Sequence, residues 1–144
     1  MADIALVTAN KVEIVESFEQ MTLPTAEAVN PGQVARLDGS TGKFTKGNAS
    51  SATEEAIYGI ATGGVANVAG QPVTVIRHGV LDGFDLSGLN YWAPVYLSST
   101  DGGLANAPDD YGDTIIGRVI PGTSTTLGTA YDKLLLVDVQ LRTQ

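Results

Sequence analysis

Apolar and polar residues alternate along most of this chain in short runs, and turn residues interrupt each run. Val34-Ala35-Arg36-Leu37, then Asp38-Gly39-Ser40-Thr41-Gly42, then Lys43-Phe44-Thr45-Lys46 reads as strand, glycine hairpin and returning strand. Asn30-Pro31-Gly32 ahead of it puts Pro at i+1 and Gly at i+2 of a type II turn. Ile57 to Thr62, Val73 to Leu81, Tyr91 to Ser98, Ile115 to Ile120 and Asp132 to Gln140 read as further strands, because β-branched residues recur with period two. Gly63-Gly64, Gly83 to Asn90, Asp101 to Asp113 and Pro121 to Gly128 carry the turn residues that connect them. Residues 47–56 read as a polar loop or a single helical turn, in which Ser51 and Glu54 would form a capping box.

The N-terminal quarter is less regular. Residues 11–23 fit a helix capped by Asn10, with Glu13 at N3 and Ile14, Val15, Phe18 and Met21 on one face. They also fit a strand with Val12, Ile14 and Phe18 on one side and Glu13, Ser17 and Glu19 on the other. The β-branched content and the following Pro24 favour the strand. Residues 1 to about 10 alternate Ile4 and Leu6 with Asp3 and Ala5, and no turn signal ties them to the next segment. Such an end either frays or adds to a neighbour's sheet edge.

The strand pattern occurs twice. Leu37 and Leu97 lie 60 positions apart, as do Gly42 and Gly102, while Gly59 and Gly117 lie 58 apart. Each copy reads as strand, glycine hairpin, polar connection, glycine-bearing strand. Strands at this spacing predict an all-β fold: a small β-barrel or sandwich, β-tulip-like, with two quasi-repeated strand–hairpin–strand units and an extended N-terminal arm. The arm covers residues 1–16 and the single β-rich body residues 17–144.

Composition narrows the function classes. The 144 residues suffice for one domain with a real core. Sixteen acidic against eight basic residues give a net charge of −8, which repels phosphate backbones and anionic membranes alike. There is no cysteine, hence no disulfide and no thiolate chemistry. Met1-Ala2-Asp3-Ile4-Ala5-Leu6 has neither the basic nor the long apolar region of a signal peptide, and no run approaches a membrane span.

No constellation carries catalysis. His78 stands without a second imidazole, and a catalytic or metal-bound histidine needs an orienting or co-ligating partner. Asp101, Asp109, Asp110 and Asp113 share a glycine-containing loop, but their spacing departs from a calcium-binding loop and suits turns. Glu54 and Glu55 are adjacent and point in different directions. The Gly-Gly pairs lack a phosphate-cradling pattern. Tyr91, Trp92 and Tyr96 form an aromatic group able to anchor an interface or stack a sugar. No catalytic residue, metal ligand or cofactor site is therefore assigned.

The order of elements, rather than any one of them, carries a resemblance. Asn30-Pro31-Gly32-Gln33-Val34, Leu37-Asp38 with Gly42-Lys43, Tyr58-Gly59-Ile60-Ala61, Ala69-Gly70-Gln71-Pro72-Val73-Thr74-Val75, Val95-Tyr96-Leu97-Ser98 with Gly102-Gly103-Leu104, and Ile116-Gly117-Arg118-Val119 succeed one another along the chain. From about residue 17 to 139 the chain resembles the capsid decoration (cement, or head-stabilisation) proteins of tailed bacteriophages. The resemblance implies a non-enzymatic homotrimer on the outer surface of the expanded head, assembled in the host cytoplasm, with the major capsid protein as partner. It also implies an arm that augments capsid strands, with Ile4, Leu6, Val12 and Ile14 as its contacts here. The segment Thr123 to Tyr131 is longer than the family pattern. The alternative expectation is a virion tail, fibre or extracellular β module with a carbohydrate site at Tyr91, Trp92 and Tyr96.

Overall fold

The computed structural model describes residues 2–63, 66–108, 114–122 and 133–140. Asp109, Asp110, Asp113, Gly64 and the segment Thr123 to Tyr131 lie outside the described residues. Ten strands and no helix occur among those described: β1 (Asp3–Ile4), β2 (Glu13–Pro24), β3 (Val34–Leu37), β4 (Phe44–Lys46), β5 (Ile57–Ala61), β6 (Pro72–Asp82), β7 (Pro94–Leu97), β8 (Leu104–Ala105), β9 (Ile115–Pro121) and β10 (Lys133–Asp138). The protein is all-β, a curled antiparallel sheet forming a barrel-like body. Within residues 11–23 the chain is strand from Glu13 onward, because β6 gives it a partner from Pro72 to Asp82.

The sheet order is β1-β8-β7-β9-β10-β6-β5-β3-β4, with β2 branching from β6. Leaving out β1, the order is a palindrome about the β10–β6 pair. The repeat seen in sequence is thus a four-stranded unit, β3 to β6 followed by β7 to β10. The registers match in detail. Ala35 pairs with Gly59 and Arg36 with Ile57, skipping Tyr58; Val95 pairs with Gly117 and Tyr96 with Ile115, skipping Ile116. Each unit therefore carries the same bulge at the same place. A Cβ on Gly59 would lie 2.0 Å from the Ile76 carbonyl oxygen, and one on Gly117 2.0 Å from that of Leu136. Only glycine permits this close passage of backbones in either unit.

The units do not turn the same face inward. Directly opposed residues of an antiparallel pair share a face. In the first unit Val34, Ile57, Ile60 and Ile76 enter the main core, while Ala35, Phe44, Ala61, Val73 and Val75 form a second core under Met21, Leu23 and Val29. In the second unit the counterparts of that second set, Val95, Leu104, Val119 and Leu135, enter the main core. The switch lies in β6. Val75 and Leu81 share a face of a regular strand, yet belong to different cores, because the β2–β6 register skips Arg77. The main core is thus one face of the first unit packed on the opposite face of the second.

The hairpin between β7 and β8 closes the curl. Val34 donates its N–H to the Gly102 carbonyl (3.0 Å), Gly102 donates to Gly47 (2.8 Å) and Ala49 to Ser98 (2.8 Å). The two ends of the sheet are thereby joined through loops rather than through a continuous ladder.

Candidate functional site

Residues 2–29 lie outside the repeat and are laid on it. β1 pairs with β8 over Asp3–Ala105 and Ile4–Leu104, and Leu6 bridges Phe84. The Asp3 carboxylate accepts the Ser98 hydroxyl at 2.5 Å and the Thr100 hydroxyl at 2.7 Å, latching the chain end to the second hairpin. Ile4, Leu6 and Val12 sit half-buried against the main core, whereas Ile14 is exposed. Residues 2–12 thus lie along the body rather than standing away from it. Sequence reasoning missed this contact because Leu104 and Ala105 fall inside a stretch that reads as connection, about a hundred positions downstream. Beside Leu6 a cleft of about 360 Å³ opens toward the Asn30–Gln33 turn.

The outer edge of β4 is sealed in a parallel way. Thr25 bridges Phe44, Ala26 donates to the Phe44 carbonyl, and the Glu27 carboxylate accepts from the Thr45 hydroxyl and the Lys46 N–H. Burial pushes the Glu27 carboxyl upward, but those hydrogen bonds and the charges of Lys46 and Arg36 outweigh it and hold it below its ordinary value.

β2 is long, paired and almost wholly exposed. Its register against β6 jumps from Ile14–Leu81 to Glu16–Val80 and from Ser17–Gly79 to Glu19–His78. Val15 and Phe18 are the residues left over. Such bulges re-aim side chains, and both point into solvent, Phe18 at 61% exposure. Its ring lies 5.0 Å from the His78 imidazole, so the lone histidine is a packing partner of an exposed aromatic. Gly79 makes the close approach possible, since a Cβ there would sit 2.5 Å from the Glu16 carbonyl.

The aromatic group is reorganised. Tyr91 and Trp92 read as the start of a strand, but the strand begins at Pro94. Asn90 to Ala93 instead form a turn, with the Ala93 N–H on the Asn90 carbonyl at 3.1 Å and Trp92 at φ 68°. This is the counterpart of Asn30 to Gln33, where Gly32 holds φ 90°. A tryptophan therefore occupies a left-handed position that its repeat gives to glycine, at a cost of roughly 1–2 kcal/mol. Two cations brace it. Arg118 lies 5.3 Å over the indole and donates to the Trp92 carbonyl at 2.9 Å. Lys133 lies 5.3 Å over the Tyr91 ring and donates to the Leu89 carbonyl at 2.5 Å. Trp92 is 58% exposed nonetheless. Tyr96 stands on β7 opposite Ile115, on the outer face of the same unit.

The remaining candidates stay dispersed. Glu54 pairs with Arg36 at 3.1 Å, while the Glu55 carboxylate is buried and accepts the Thr114 hydroxyl at 3.1 Å. Asp101 faces Lys46 at 3.9 Å and Asn48 at 3.0 Å. Among the described residues no three acidic or imidazole groups converge as a metal site would require.

Fold and surface together define an all-β protein with an internally repeated four-stranded unit, an N-terminal segment outside it and two irregular exposed patches among the described residues. Comparison with protein-family models, with curated proteins and with solved structures finds no match.

Proposed function

We propose that the protein is a non-enzymatic capsid decoration subunit that binds the outer surface of an expanded phage head as a homotrimer and stabilises it, with the major capsid protein as partner. One observation carries the reading: the N-terminal segment lies outside the repeat and pairs with its β8 edge. β1 and its flanks are held by two residue pairs, the Asp3 latch, backbone hydrogen bonds shared with Asn106, Asp85 and Gly83, and half-buried Ile4 and Leu6. These are contacts of one short segment at a sheet edge, and the same segment can add to a neighbour's edge in their place, which is the physics of strand addition. Three such arms around one axis would turn weak contacts into firm attachment. The order of turns from Asn30 to Val119 supports the same reading.

Co-sedimentation with undecorated heads tests it. The full chain is expected to pellet with expanded heads and not with unexpanded ones; failure to pellet with expanded heads ends the reading. A chain lacking residues 2–10 is expected to remain β-rich by circular dichroism and to stay in the supernatant. If it pellets as the full chain does, the arm is not the attachment.

A further inference from the structure

Three of the four sheet faces made by the repeat are covered. The first unit has one face in the main core and one in the second core, and the second unit has its inner face in the main core. Among the described residues, none covers the outer face of the second unit. There the counterparts of buried Val34, Ile57, Ile60 and Ile76 are Pro94, Ile115, Arg118 and Leu136. Pairing of Pro94 with Arg118, Arg118 with Leu136 and Tyr96 with Ile115 puts these residues on one surface. Ile115 is exposed, and Pro94, Tyr96 and Leu136 are half-buried. The strained Trp92 turn stands at its rim beneath Arg118, which has no carboxylate partner among the described residues.

A second uncovered apolar surface among the described residues is the N-terminal half of β2. It offers exposed Ile14 and Val15 between Glu13 and Glu16, with exposed Phe18 two residues beyond, and these two carboxylates have no ion pair among the described residues. One surface is aromatic and cationic, the other apolar and anionic. Each depends on a backbone irregularity that turns a large apolar side chain outward. Strain of this kind persists where it serves contact.

We infer that the outer face of the second unit docks on β2 of a second copy of this chain. Tyr91 and Trp92 pack against the bulged Val15 and Phe18, while Arg118 meets Glu13 and Glu16. The two surfaces differ, so the interface is heterologous and repeats around a ring. The inference rests on the reading of the protein as a self-assembling decoration subunit and names the faces by which it assembles.

Charge reversal in the full chain, free of heads, tests it by sedimentation velocity over a series rising to about millimolar, the reach of a small polar-rimmed interface. The wild type is expected to self-associate. Arg118→Glu and Glu16→Arg should each weaken association roughly tenfold or more, and the double variant should recover most of it. Glu16→Arg is the variant least able to disturb folding, since that side chain is exposed. Trp92→Gly keeps the turn, as Gly32 shows, and should weaken association too. A wild type monomeric throughout the series overturns the inference, as does a double variant no better than either single one. Association untouched by Trp92→Gly, with glycan-array binding lost, would assign the aromatic corner to a carbohydrate and overturn it as well. Head pelleting is scored separately: pelleting by a monomeric chain defeats this inference alone, and assembly without pelleting defeats the decoration reading.

Discussion

Asn30-Pro31-Gly32-Gln33 and Asn90-Tyr91-Trp92-Ala93 close the same turn on the same strand, yet they meet different surroundings. Gly32 donates to the Ala61 carbonyl at 2.8 Å and Trp92 to the Val119 carbonyl at 2.6 Å, so the backbone is reproduced. Around Gly32 the N-terminal segment has settled, and a Cβ there would lie 2.8 Å from the Leu6 side chain. Among the described residues no such segment covers Trp92, and its indole stands in the open under Arg118. Duplication supplied two equal turns; one became a seat for the chain's own end, the other an exposed corner. Equal backbone geometry does not imply equal use.

The sharpest way to break the comparison is at the glycines the units share. Gly59→Ala and Gly117→Ala each force a Cβ onto a backbone carbonyl, and each is expected to cost about 3 kcal/mol or more in urea unfolding. If one is tolerated, the units are not built alike.

The turns come next. Gly32→Ala should cost about 2 kcal/mol, combining left-handed strain with displacement of Leu6. Trp92→Gly should change stability by less than about 1 kcal/mol, because relief of strain offsets loss of the Arg118–indole contact. Equal effects at the two positions would remove the asymmetry between the turns.

The smallest expected effects concern the two sealed edges. Asp3→Ala should cost about 1 kcal/mol and speed amide exchange at Asn106, whose N–H donates to the Ala2 carbonyl, since two hydroxyl donors lose their acceptor. At the β4 edge the control is pH. Glu27 titrates below its ordinary 4.5 when folded, so its stabilising contribution is complete above about that pH and fades as pH falls through the lower folded value. Glu27→Gln should therefore be less stable than wild type near neutrality, and the gap should narrow on acidification below pH 4.5. A gap that widens there would contradict the assignment.

Much of the body is legible in the sequence. β3, its hairpin, β5, β6 and β9 fall where period-two patterning and turn glycines put them. The Asn30 turn has the geometry that Pro31 and Gly32 demand. The Trp92 turn reads as strand because Tyr and Trp favour strands and no glycine marks the bend. Its signal is present only in the 60-residue offset from Asn30 to Asn90. Residues 11–23 fit two periods until β6 supplies a partner. β1 and β8 are two-residue strands whose pairing joins chain positions about a hundred apart, beyond any local pattern.

The sequence by itself determined the β class, the duplication and the places where the chain turns, because these depend on neighbours within a few residues. Only the tertiary structure decided that the units pack face to opposite face, that the N-terminus lies on the β8 edge, and that Trp92 stands in a glycine's place beneath Arg118. Those outcomes depend on which distant surfaces meet, and a slip such as that at Arg77 in β6 changes the face presented without changing the local pattern.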